Sequence, residues 1–190
     1  MTTQPPISRF PVPTLASLPE DIRDKILAVQ EKAGFIPNVF LVLASRPAEF
    51  RAFFAYHDAV MEKEGGLTQG EREMIVVATS SLNQCQYCVV SHGAILRVRE
   101  KNPNLADQVA ANYRQADISA RQKAMLDFAI KVAQTAYEVN EEDFATLKEH
   151  GFSDEDILDI TSIVGLFGLS NRMANVTGMR PNDEFYALGR

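Results

Sequence analysis

Apolar residues recur along this chain at three- and four-residue steps, and no sustained two-residue alternation replaces them. The pattern predicts helices in series and no sheet. After Pro19, Ile22, Ile26, Leu27 and Ala33 mark a first helix that Gly34 stops, and a short helix is expected over Asn38–Ala44. Ser45 reads as the cap of a third helix with Pro47 in its first turn and Phe50, Phe53, Phe54, Ala55, Val60 and Met61 along a core stripe. Thr68 with Glu71 forms a capping-box pattern ahead of Met74, Ile75, Ala78 and Leu82, and Ser80, Ser81 and Asn83 weaken that helix before Cys85. A helix then runs to about Glu100, and another follows Pro103 through Leu105, Val109, Ala110 and Tyr113. Ser119 with Gln122 repeats the capping box and opens a long helix through Met125, Phe128, Ala129, Val132 and Ala136. The fold class is all-α.

Shifting the sequence by 85 positions lays Gly66 on Gly151, Leu67 on Phe152, Thr68 on Ser153, Glu71 on Asp156, Ile75 on Ile160 and Gly93 on Gly178. The match reads as two related helical-hairpin units, each with a glycine stop, a capped helix, a break and a second helix ending at glycine. At the same offset Glu73 falls on Leu158, Cys85 on Ser170, Cys88 on Met173 and His92 on Thr177. The second unit keeps the frame and lacks the reactive side chains.

At 190 residues and 46% hydrophobic content, the chain can bury a core as one helical domain spanning residues 1–190. Pro5, Pro6, Pro11, Pro13 and Pro19 predict an extended arm over residues 1–19, ahead of a core at about 20–180. Phe10, Val12 and Leu15 give the arm an apolar side to pack on its own domain or on a neighbouring subunit. A net charge of −6 without a Lys/Arg cluster argues against nucleic acid as a partner. The N-terminal stretch lacks the charged and apolar regions of a leader, and no apolar run reaches bilayer length, so a cytoplasmic protein without a membrane anchor is expected. In that reducing compartment, a CxxC pair points to catalysis or metal binding over a permanent disulfide.

The two cysteines, Cys85 and Cys88, open a predicted helix, with His92 four residues after the second and Glu73 upstream. Cys88 and His92 share one helix face. If the chain reverses near Asn83, Glu73 and His92 lie equally far from the bend and face each other, so carboxylate, imidazole and both sulfurs converge. A helix N-terminus stabilises a thiolate, an imidazole can take the thiol proton, and Glu73 can orient that imidazole. Helix-terminus electrostatics favour Cys85 as the more acidic thiol, whereas nearness to His92 favours Cys88, and the expectation follows His92. Zinc held by Cys85, Cys88 and His92 with Glu73 or His57 is the competing reading, disfavoured because no second CxxC or HxxxH is present. For His57 on the phenylalanine-rich helix, and for His150 before Gly151, packing or dipole roles are expected.

The spacing of Glu73, Cys85, Cys88 and His92 resembles the signature of the AhpD-like alkylhydroperoxidases in the carboxymuconolactone decarboxylase superfamily. GFIPN at Gly34–Asn38, LTQGERE at Leu67–Glu73 and LSNRMANVTGMRP in the tail extend the resemblance to the branch labelled peroxidase-related. It implies an all-α fold, trimers or hexamers, and reduction of hydroperoxides by a Cys85–Cys88 pair cycling between dithiol and disulfide. It further implies that Cys88 attacks, Cys85 resolves, and His92 with Glu73 relays protons. No bound cofactor is expected, with electrons coming from a dithiol or lipoyl-bearing partner protein. One departure is Tyr87, which stands where the best-known AhpD pattern has a second histidine; it can donate a hydrogen bond but is a poor base. The alternatives are a lyase of the decarboxylase kind, and a non-enzymatic helical protein whose dithiol senses redox state.

Overall fold

Caps decide where the helices of this chain begin. In the computed structural model, which describes residues 5–190, all regular elements among the described residues are helical. Four capping boxes or their equivalents open the helices α4 (Gln69–Leu82), α7 (Ala120–Thr135), α8 (Glu141–Glu149) and α9 (Asp154–Thr177), from Thr68, Ser119, Asn140 and Ser153. Each supplies the backbone N–H groups of the first turn with acceptors they otherwise lack. The first helix, α1 (Glu20–Ala33), ends on Gly34 in the left-handed region, and α2 (Asn38–Leu43) follows as expected. The third, α3 (Pro47–Met61), departs from expectation at its start. Its cap is Arg46, because Pro47 takes the first helical position, and the Ser45 hydroxyl instead donates to the Val42 carbonyl at 2.8 Å. Between α4 and α9 lie also α5 (Gln86–Glu100) and α6 (Leu105–Asn112), while α10 (Glu184–Ala187) closes the chain.

The central element is α4, buried on nearly every face and packed against α5, α6, α7 and α9. Three consecutive charged residues on it lie inside, and each has a partner, as burial requires. Glu71 completes its capping box and pairs with Arg121. Arg72 donates to the Val60 carbonyl at 2.8 Å and to Asp159 of α9 at 2.9 Å. Glu73 meets His92. Around them Met74, Ile75, Val76, Leu96, Met125, Leu126, Ile160 and Phe167 form the main apolar core.

The offset of 85 residues holds at the start of both units and fails further on. Thr68 and Ser153 both cap, Leu67 and Phe152 are both buried, and Ile75 and Ile160 sit in one core. Then α4 turns back at Asn83, whereas α9 runs unbroken for 24 residues, so the expected break and second hairpin are absent. Gly178 ends α9 in the left-handed region, while Gly93 lies inside α5.

Of the arm predicted over residues 1–19, the first four residues lie outside the described residues. The rest packs on its own chain and includes a 3-10 turn at Leu15–Ser17. The Arg9 N–H donates to the Thr177 carbonyl at 2.7 Å, the Arg180 N–H donates to the Ile7 carbonyl at 3.1 Å, and the Arg9 guanidinium caps the Val176 carbonyl at 3.2 Å. A cation on the last carbonyls of a helix is favoured by the dipole. The packed body also extends past residue 180: Phe185 is buried, and Arg97 donates to the carbonyls of Phe185 and Leu188.

Candidate functional site

Polar residues at the end of α4 weaken the helix, and there the chain reverses. Gln84 takes a left-handed conformation (φ 50°), uncommon for a residue with a side chain, and Cys85 becomes the N-cap of α5. The Cys85 N–H donates to the Ser80 carbonyl at 2.9 Å, which ties the turn to the helix it leaves. From this bend α5 runs back along α4 and brings His92 to Glu73, with Nδ1 and Oε2 2.7 Å apart. Ring orientation is fixed further by Phe167, whose ring meets His92 edge to face at 4.7 Å.

Sequence reasoning missed what α9 contributes. Ser170, read as an inert counterpart of Cys85, places its hydroxyl 3.8 Å from the Cys88 sulfur. Asn171 donates to the Ser80 hydroxyl and accepts from the Asn83 amide, both at 2.9 Å, while Asn175 donates to the Asn83 carbonyl at 3.1 Å. The bend is thus clamped by amides from a helix some ninety residues away in sequence. The tail stretch LSNRMANVTGMRP contained these residues, but nothing in local spacing ties them to the cysteines.

Both cysteines are unbridged and enclosed, Cys85 0% and Cys88 1% exposed, among Val42, Tyr87, Ala174 and Met179 with Ile7 and Val12 of the arm. Their acidities diverge. The Cys88 thiol donates to Cys85 and, with the Cys88 backbone N–H, the Asn171 amide and the charge of His92, outweighs burial to bring Cys85 down to about 7. The Cys88 thiol is pushed up, first by its own hydrogen bond to Cys85, then by burial and by the Cys85 charge. The pair shares one proton with the charge on Cys85. This corrects the expectation that His92 selects Cys88 as the more acidic thiol: the imidazole acts on Cys85, at the helix terminus.

Tyr87 is enclosed in the same cluster, and its hydroxyl accepts the Val39 N–H of α2 at 3.0 Å. Burial pushes its pKa up, so the phenol stays protonated. His57 lies nearer the site than its place on α3 suggested, with its ring against Phe53, Phe54 and Phe167. His150 follows the last turn of α8, where its N–H donates to Thr146 and Leu147. Among the described residues, no group of three or more His, Cys, Asp or Glu side chains is arranged to hold a metal ion.

An apolar cavity of about 790 Å³ adjoins the sulfur cluster. Val42 lines it and belongs to the apolar cluster that includes both cysteines, and Phe53, Leu166, Leu169 and Met173 form much of its wall, with Phe10 of the arm also lining it. Its size and lining suit an organic molecule. Among the described residues no helix is long and apolar enough to cross a membrane.

A model of the carboxymuconolactone decarboxylase family matches residues 47–135. A crystal structure of an alkylhydroperoxidase AhpD core, a peroxidase-related protein from Ralstonia eutropha JMP134, is 71% identical to this chain. The match covers 97% of each chain with a TM-score of 0.97. A peroxidase-related protein from Silicibacter sp. TM1040 is 39% identical over 100% of both chains, with a TM-score of 0.93. A debrominase in complex with 2,3,4-tribromopyrrole, 18% identical over 89% of each chain with a TM-score of 0.74, shares the fold. No curated protein matches the chain.

Proposed function

Because the chain belongs to the AhpD-like group of the carboxymuconolactone decarboxylase family, we propose that it is a thiol-dependent peroxidase reducing hydroperoxides through Cys85 and Cys88. The observation that carries this reading is the enclosed, unbridged Cys85–Cys88 dithiol at the start of α5, the helix whose His92 is bonded to Glu73 at 2.7 Å.

In the cycle we envisage, Cys88 attacks the terminal peroxide oxygen while the Cys85 thiolate takes its proton. The higher-pKa sulfur is the stronger nucleophile once an adjacent base activates it. The O–O bond breaks, an S–O bond forms, and the alkoxide leaving takes a proton from His92. Cys85 then attacks the sulfur of the Cys88 sulfenic acid; the S–S bond forms, the S–O bond breaks, and the Cys85 proton leaves with the hydroxyl as water. An external dithiol, such as a lipoyl-bearing protein in the cytoplasm, restores both thiols, and His92, oriented by Glu73, receives the proton of Cys85 as it ionises again. Organic hydroperoxides fit the apolar cavity beside Val42, and Tyr87 is an accessory that holds α2 against α5. Assembly is into trimers or hexamers, with no bound cofactor.

The test is consumption of cumene hydroperoxide with dihydrolipoamide as reductant. Wild type turns over, and both Cys85→Ser and Cys88→Ser lose steady-state activity. In a single turnover Cys85→Ser retains a slower burst and Cys88→Ser has none. A burst retained only by Cys88→Ser would assign the attack to Cys85, and turnover independent of both cysteines would overturn the peroxidase reading. Conversion of a lactone acid without any thiol change would support the lyase instead.

A further inference from the structure

The buried stripe of α3 runs through Phe50, Phe54, Val60 and Met61, and His57 occupies the position on it between Phe54 and Val60. An imidazole there stands where the helix pattern calls for an apolar side chain. Its ring centroid is 6.5 Å from that of Phe167, the same phenyl ring that meets His92 at 4.7 Å, so two imidazoles from α3 and α5 converge on one residue of α9. His57 Nδ1 lies 3.2 Å from Asp58 Oδ1, and Asp58 in turn takes a hydrogen bond from Lys25 of α1 at 2.7 Å. Side-chain exposure rises outward along this line, from 8% at Glu73 and 14% at His92 to 24% at His57 and 49% at Asp58.

We propose that His57 exchanges protons between the Glu73–His92 pair and solvent. The proposal rests on the peroxidase reading. His92 gives its proton to the alkoxide early in the cycle and receives the one from Cys85 only at its end, so recharging His92 in between takes a proton from solvent, and the later one then leaves by the same route. His92 and Glu73 are themselves largely enclosed, and His57, which shares the Phe167 ring with His92, is half-buried. Asp58 on its own helix, Glu73 on α4, His92 on α5 and, through Asp58, Lys25 on α1 are the charged groups that face it. Burial holds its pKa down, with the charge of His92 adding to that and Asp58 and Glu73 opposing it. A neutral imidazole has one donor and one acceptor nitrogen, which is what a relay between two sites requires.

The experiment compares His57→Phe, which keeps an aromatic ring in the stripe, and His57→Gln with His92→Gln, in peroxide turnover at low buffer concentration across pH. Both His57 variants are expected to lower kcat by about tenfold or more, within the range of general acid–base effects, with KM unchanged. Added imidazole restores most of the loss, which a packing defect would not allow. Thermal unfolding of each variant separates a folding defect from a slow proton transfer, and rescue in either folded variant suffices. Wild-type kcat in a folded His57 variant while His92→Gln is inactive would overturn the proposal and leave the peroxidase reading standing. Full activity in His92→Gln would remove the relay itself, and this inference with it.

Discussion

Cys85 and Cys88 divide acidity between them because one donates and the other accepts. That makes a pH dependence with a definite sign. Cys85 is lowered from 9.0 to about 7, chiefly by the Cys88 thiol, so its thiolate is lost as pH falls through about 7 and is fully formed above it. Peroxide reactivity is expected to rise through the same window. In Cys88→Ala the donor is gone, and the Cys85 pKa moves back up towards the ordinary thiol value, which thiolate ultraviolet absorbance against pH reads directly. A Cys85 pKa unchanged by Cys88→Ala would contradict the shared proton. Tyr87→Phe makes a second test. Loss of the hydroxyl leaves the Val39 N–H without its acceptor, so stability falls by about 1–3 kcal/mol in chemical denaturation while the burst with peroxide keeps its rate. A lost burst would make Tyr87 part of the proton path. The contact of Glu73 with His92 was legible in the sequence because a hairpin bent at Asn83 makes it a matter of local spacing. Ser170, Asn171 and His57 were not, since each reaches the site from an element whose placement only tertiary packing decides.

Helices here were readable from their ends. Thr68, Ser119 and Ser153 announced α4, α7 and α9 because a side chain that accepts from the first-turn N–H groups has a fixed place in sequence. Ser45 misled because the proline at position 47 fixes the first helical residue and with it the cap at Arg46. The unbroken length of α9 was hidden for another reason: the offset of 85 carried the break at Asn83 over to α9, whereas its polar residues Ser170 and Asn171 face the cysteine bend, and Asn171 clamps it. The arm lies over the same place, with Ile7 and Val12 packed beside the sulfurs and Arg9 bonded to the end of α9. Arg9→Ala is therefore expected to raise the rate at which iodoacetamide modifies the two thiols in the folded protein, with little change in the thermal midpoint. An unchanged modification rate would mean that the sulfurs are reached from the cavity beside Val42 and not from beneath the arm.

For the molecule as a whole, the all-α class followed from periodicity, and what periodicity could not convey is the charge at its centre. Arg72 is fully buried and depends on Asp159, which also takes Lys63 at 2.9 Å. Removing one partner of such a pair strands the other, so Asp159→Ala is expected to cost about 3–5 kcal/mol in denaturant unfolding. A loss under about 1 kcal/mol would show that the Val60 carbonyl alone satisfies Arg72. The rest of the body holds one enclosed pair of thiols, the hydrogen-bonded Glu73–His92 pair and one apolar cavity. The measurement that bears most directly on it is a single turnover without reductant, counting free thiols and alcohol product for each equivalent of cumene hydroperoxide. The account predicts one alcohol formed and two thiols lost per chain, with both returning on addition of dihydrolipoamide. Peroxide left intact, or consumed with Cys85 and Cys88 still titratable as free thiols, would contradict it.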